Sequence, residues 1–275
     1  MALRLRKAIS GAIYVLSSAT GIVAFLYPFF GLANEGASAG QVHGQDAPLL
    51  TVALIGLSLV ALLIEVQGQT ISAKTVAMLG ILIAITSVLR FIEIAIPMPG
   101  GFSPIFAPII LVGYVFGGQF GFLMGAFTLL ASGLVTGGVG PWLPYQMLAA
   151  GWVGLTAGMV SAIIPPRTNN RRVEDRIVLI LSVLGFIWGL LYGAIMNIYF
   201  WPYAMGPSAQ TWTRGIGLGE TLSRYVAFYL VTSLGWDLAR SIGNVVLVLV
   251  LGVPVIRALT RFRRRFHFEV QAIDG

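Results

Sequence analysis

Two short sets of polar residues sit inside apolar sequence, and both have spacings that allow chemistry. Arg90 and Glu93 are three residues apart near the far end of Ala73 to Pro97 (AKTVAMLGILIAITSVLRFIEIAIP), so on a helix they face each other or share a cavity. Asp237, Arg240 and Asn244 follow one another at spacings of three and four in the last apolar stretch and share one helix face. A charge in hydrocarbon costs at least about 2.5 kcal/mol, so neither set belongs against lipid. Each either locks helices together as an internal pair or opens on a wet interior, and the spacing of the spans places Asp237 near mid-membrane.

What is missing narrows the chemistry. No GxxxxGK[ST] motif is present, so the chain lacks the usual cradle for a nucleoside triphosphate. No HExxH is present either, and the 2 histidines, His43 and His267, fall outside the apolar spans, which argues against a histidine-based hydrolase or zinc site in the membrane. With 0 Cys there is no thiolate ligand or nucleophile, and Ser and Lys occur at no spacing that singles out a nucleophile and its base. The residues point to binding, with no catalytic residue, metal ligand or cofactor in this chain. A relay for a proton-coupled carrier would need more carboxylates in the core spans than Glu93 and Asp237.

Binding groups gather toward one edge. Beside Arg90 and Glu93 these are Trp142, Tyr145, Gln146, Asn197, Trp201, Tyr203, Arg224 and Tyr225, with the turn Pro97 to Phe102. Taken singly, each aromatic residue also fits an ordinary interfacial belt. Asn197 and Gln146 weigh more, because a buried amide needs partners from protein, water or ligand. Together, with Asp237 as a further candidate, they describe an outward-facing pocket for a flat, polar-rimmed small molecule.

The elements that position these groups are transmembrane helices. Of the residues, 57% are hydrophobic and only 10% charged, with a mean hydropathy of +0.89, which is the composition of a polytopic, all-α membrane protein. The net charge of +7 does not point to nucleic acid, because the basic residues form short clusters beside apolar spans, as positive-inside anchors do. Ile9 to Gly31 is too long for a signal peptide and reads as a retained first span. Asn34 to Pro48 carries no Lys or Arg and reads as an outer loop, and Leu49 to Val66 returns inward. Ala73 to Pro97 then runs outward, Phe102 to Phe116 inward, Phe120 to Val135 outward and Tyr145 to Ile164 inward. Pro165 to Arg176, with four arginines, marks the cytoplasmic side, Ile177 to Trp201 runs outward, and a loop to about Leu222 leads into the last helix. The count is eight spans with both termini cytoplasmic: an N-terminal hairpin over 1–72 without an assigned role, a core over 73–265 and a tail over 266–275. Ala73, Ala77, Gly80 and Ala84 form a small-residue stripe on the first core helix, for packing within the chain or for docking another subunit.

From about Ala73 to Arg265 the chain resembles the substrate-binding S components of energy-coupling factor (ECF) transporters, the vitamin-uptake branch of the ABC importers. The resemblance rests on the pairs Ala73/Ala77 and Gly80/Ala84, the Gly-rich segment Gly113 to Gly125, the loop Gly140 to Gln146 (GPWLPYQ), and Ile180 to Trp201 with Asp237 to Asn244. It implies a six-helix core that captures a vitamin outside a prokaryotic cell membrane and topples within a complex. It further implies a transmembrane coupling subunit docking on the stripe and two separate ABC ATPases that hydrolyse the ATP. The cargo implied leans to cobalamin or a corrinoid-related compound, with riboflavin, thiamine and their precursors as runners-up. The hairpin before the core departs from the family's usual unit. A stand-alone proton- or ion-coupled carrier is the alternative, and an intramembrane enzyme the third class.

Overall fold

A computed structural model describes residues 2–30, 48–49, 52–53, 55–57, 60, 73–96, 102–166 and 170–265, and among these every regular element is helical. Helix α1 (Ala2–Leu26) runs into a 3-10 turn, Tyr27–Phe30. The core follows as α2 (Ala73–Ala95), α3 (Phe106–Phe116), α4 (Gly118–Thr136), α5 (Leu143–Ile163), α6 (Arg171–Phe200) with a 3-10 turn at Trp201–Tyr203, α7 (Leu218–Thr232) and α8 (Leu234–Arg265). Among the described residues, five helices can cross a membrane by length and composition: Val76–Ala95, Gly118–Thr136, Leu143–Ile163, Arg171–Tyr203 and Leu234–Arg263. The chain is a multi-pass, all-α membrane protein. Most of Leu49 to Val66, the loop Asn34 to Pro48 and the turn Pro97 to Gly101 lie outside the described residues.

Local chemistry sets the helix ends. Gly117 separates α3 from α4 at φ 100°, and Gly137 closes α4 in the left-handed region at φ 69°, where a side chain would strain the backbone. The Asn170 side chain accepts from the Arg172 N–H at 3.0 Å and caps α6. Two expectations change. Phe102 to Phe116 yields a helix of only 11 residues, because Pro104 and the turn before Phe106 delay its start. The loop expected to reach Leu222 ends at Gly217, where α7 begins. That helix stops at Ser233, one residue before α8, as the Thr232 hydroxyl bonds back to the Phe228 carbonyl at 2.8 Å.

The core is assembled by glycine. A Cβ built on Gly113 or Gly121 would run into the Gly154 carbonyl, one on Gly125 into the Ala150 carbonyl, and one on Gly118 would meet the Leu155 carbonyl oxygen at 2.8 Å. So α3, α4 and α5 cross with their backbones touching, where association depends on close packing. The spacing of Gly151, Gly154 and Gly158 signals this in the sequence, and Gly154 and Gly158 sit at the crossings. At the basic end, Glu174 of α6 is 2% exposed and accepts from Arg257 of α8 through both oxygens, with Nη2 to Oε2 at 2.6 Å. Arg263 Nη1 donates to the Val115 carbonyl and ties in α3. Sequence reading missed this clamp because Glu174 lies among arginines that looked solvated.

Candidate functional site

Toward the other end, α6 presents Gly185, Gly189 and Gly193 on one stripe, and α8 presses into it. A Cβ on Gly193 would collide with the Asp237 carboxylate, one on Gly189 with Ser241, and one on Gly185 would lie 3.3 Å from the Asn244 Cβ. This packing buries Asp237 to 2% exposure and Asn244 completely. Asp237 pairs with Arg240, which also donates to the Gly189 carbonyl at 3.4 Å and stands 5.6 Å over the Tyr192 ring. Asp237 occupies the first turn of α8, against Gly193 of α6.

The two sequence-derived sets therefore merge. Tyr192 packs edge-on against Phe106 at 4.8 Å, and Arg90, Glu93 and Arg240 all act on it electrostatically. Glu93 accepts a 2.7 Å hydrogen bond from Ser103, which links α2 to the chain entering α3. Arg240 of α8 thus stands over one buried tyrosine of α6, with Arg90 and Glu93 of α2 within electrostatic reach of it. Tyr192 was not singled out in the sequence, although Gly185-x3-Gly189-x3-Gly193 fixes the α6 face that meets α8.

A second locus is a cavity of ≈570 Å³ between the end of α1, the end of α6 and the start of α7, lined among others by Phe29, Trp201, Trp212, Thr221 and Tyr225. Trp201 is 2% exposed, and its indole N–H donates to the Gln210 carbonyl at 2.9 Å. Its ring meets Tyr225 at 4.9 Å and Phe29 at 5.8 Å, and Phe29 meets Trp212 edge-on at 5.4 Å. The Tyr225 hydroxyl donates to the Ala194 carbonyl. Phe29 and Trp212 carried no sequence signal, one lying in the unassigned hairpin and the other in a stretch read only as loop.

The remaining candidates stand apart from the cavity wall. Trp142 is 43% exposed and donates to Gly138 in its own loop at 3.3 Å. Tyr145 is fully buried between Phe25 and Tyr199, with its hydroxyl 3.4 Å from the Ala24 carbonyl. Gln146 is half-buried one position further along α5. Asn197 is buried, and its amide donates to the Ser233 hydroxyl at 2.7 Å, pinning the break between α7 and α8 to α6.

On α2 the stripe begins at Ala73, and Ala77, Gly80 and Ala84 are exposed. Nothing lies within 4 Å of a Cβ built on Gly80. The helix packs on α4 with its other face, through Leu79, Thr86 and Ser87, whose hydroxyl lies 3.4 Å from the Thr128 carbonyl. Among the described residues the stripe has no packing partner.

The family model described as "ECF transporter, substrate-specific component" matches residues 74–252. Neither the curated proteins nor the solved structures contain a match to this chain.

Proposed function

Because the chain belongs to the substrate-specific components of ECF transporters, we propose that it captures a vitamin-type micronutrient and delivers it across a prokaryotic cell membrane. The match over 74–252 carries this reading, since it runs from the small-residue stripe to past Asn244. The partners are a transmembrane coupling subunit, docking on the open stripe of α2, and two ABC ATPases, which supply the nucleotide chemistry that this chain has no motif for. In this reading the aromatic cavity receives the cargo, and Arg90, Glu93 and Asp237 form a polar cluster apart from its lining residues. A volume of ≈570 Å³ falls within the roughly 300–1,000 Å³ of small-molecule sites. Riboflavin or thiamine would be largely enclosed, whereas a corrinoid, toward which the resemblance leans, would hold only one edge of its macrocycle inside.

Purification from the native membrane followed by mass spectrometry tests the reading directly. Co-purification of a membrane coupling subunit and ATPases with a bound vitamin is expected. Retention of transport without them, abolished by a protonophore but insensitive to ATP depletion, would replace the reading with a secondary carrier. Trp201→Ala should weaken vitamin binding roughly 5- to 150-fold in a calorimetric titration, the usual range for a buried contact worth about 1 to 3 kcal/mol.

The topology we propose has eight spans, both termini inside and the aromatic end outside, because every basic cluster then lies on one side. A single cysteine at Asn169, in a chain with 0 native Cys, should resist an impermeant reagent in intact cells and label after lysis. Labelling in intact cells would invert the arrangement.

A further inference from the structure

Helix α1 precedes the matched residues 74–252 and has no assigned role, yet it is built into the core. Its buried positions Tyr14, Ser17, Gly21, Ala24 and Phe25 recur at helical spacing. Tyr14 meets Phe122 edge-on at 5.3 Å, and Ser18 accepts from the Trp152 indole N–H at 2.9 Å. A Cβ on Gly21 would lie 2.6 Å from the Leu148 side chain, so no larger residue fits there without displacing it. Phe25 lies 4.8 Å from Tyr145 and 6.2 Å from Trp152. The opposite face, with Val15 at 70% and Val23 at 65% exposure, is left for lipid. This registry fixes where α1 ends, and the 3-10 turn that follows brings Phe29 against both Trp201 and Trp212.

Two further features define what the cavity accepts. Among the described residues, none that lines it is charged. The polar atoms of its two central aromatic residues are committed elsewhere, Trp201 Nε1 to Gln210 and the Tyr225 hydroxyl to Ala194, so these rings offer π faces. We propose that α1 and its terminal turn form one wall of the cargo cavity, and that this wall selects a planar, uncharged heteroaromatic ring by stacking on Phe29. The N-terminal segment is then a specificity element of the site. This rests on the capture reading above and deepens it.

The test uses the full chain in detergent and riboflavin as the planar probe, with flavin and tryptophan fluorescence as readouts. Wild type should bind riboflavin with quenching of both. Phe29→Ala and the bulkier Phe29→Leu should each weaken binding about 10-fold, in the range of one lost ring-stacking contact. Phe29→Trp should restore it, and the ligand-free melting temperature should hold for Leu and Trp. Unchanged affinity in Phe29→Leu alongside a loss in Trp201→Ala would overturn the role of α1 while leaving the capture reading intact. No riboflavin binding by wild type would overturn the proposed ring selectivity. Co-purification of the coupling subunit decides the capture reading separately, since it does not depend on Phe29.

Discussion

Enlarging the open stripe, by Gly80→Leu or Ala77→Leu, is expected to reduce vitamin uptake to background while the purified protein keeps its melting temperature and its affinity for cargo. Gly80 has empty space where a side chain would go, and Ala77 is exposed on the same face. Leucine at Gly80 therefore meets nothing in the described chain and gains up to about 1 kcal/mol of helix propensity. A partner helix that approaches backbone to backbone would instead be pushed away by a side chain's width, and in lipid little else holds two helices together. Uptake in cells, thermal melts and recovery of the coupling subunit on the tagged chain give the three readouts. Lost expression or a lower melting temperature would show that the stripe packs within the chain, and the docking proposal would fall.

Asp237→Asn should be the most destabilising single change near the site, at about 3 to 5 kcal/mol, because it strands the Arg240 cation, whose side chain is only 18% exposed. Asp237 is 2% exposed against the Gly193 backbone, so neither water nor a rearranged helix can readily replace the lost charge. Glu93 lies within electrostatic reach of Arg240 and is the one alternative counter-charge the described structure offers. The loss should thus grow in a Glu93→Gln background, and the double change Asp237→Asn with Arg240→Gln should recover part of it. Thermal melts with and without vitamin on these variants decide the matter. If Asp237→Asn melts like wild type yet fails to bind, Asp237 is a ligand contact and the polar cluster is the site itself.

The core helices up to Phe200 and their order were legible because long apolar runs punctuated by Gly and Pro leave few alternatives for a chain in lipid, while most of the expected span Leu49 to Val66 lies outside the described residues. The small-residue stripe of α2 was legible for the same reason, and Ala77, Gly80 and Ala84 are exposed among the described residues. The convergence on Tyr192 was not legible. It depends on the rotation of α6 about its axis, which is set by Gly185, Gly189 and Gly193 meeting α8. The break between α7 and α8 was not legible, because the chain from about Leu222 onward read as one continuous last helix and the break rests on two hydroxyl residues, Thr232 and Ser233. Phe29 and Trp212 meet across 183 residues of chain, and nothing local in either segment announces that contact.

The brevity of α3 bears on how the chain is made. Its 11 residues reach about 16 Å against the roughly 30 Å of a bilayer's hydrocarbon, so during synthesis it emerges as a segment too short to be left in the membrane unaided. Nine of its residues are buried, and the surfaces that bury it, on α4 and α5, are translated afterwards. Insertion of α3 must then wait until α4 follows it through the tight turn at Gly117, the two entering as a hairpin. In a released chain truncated at Phe116, a single cysteine in α3 should stay accessible to an impermeant reagent, and in one extending beyond Ile163 it should be protected.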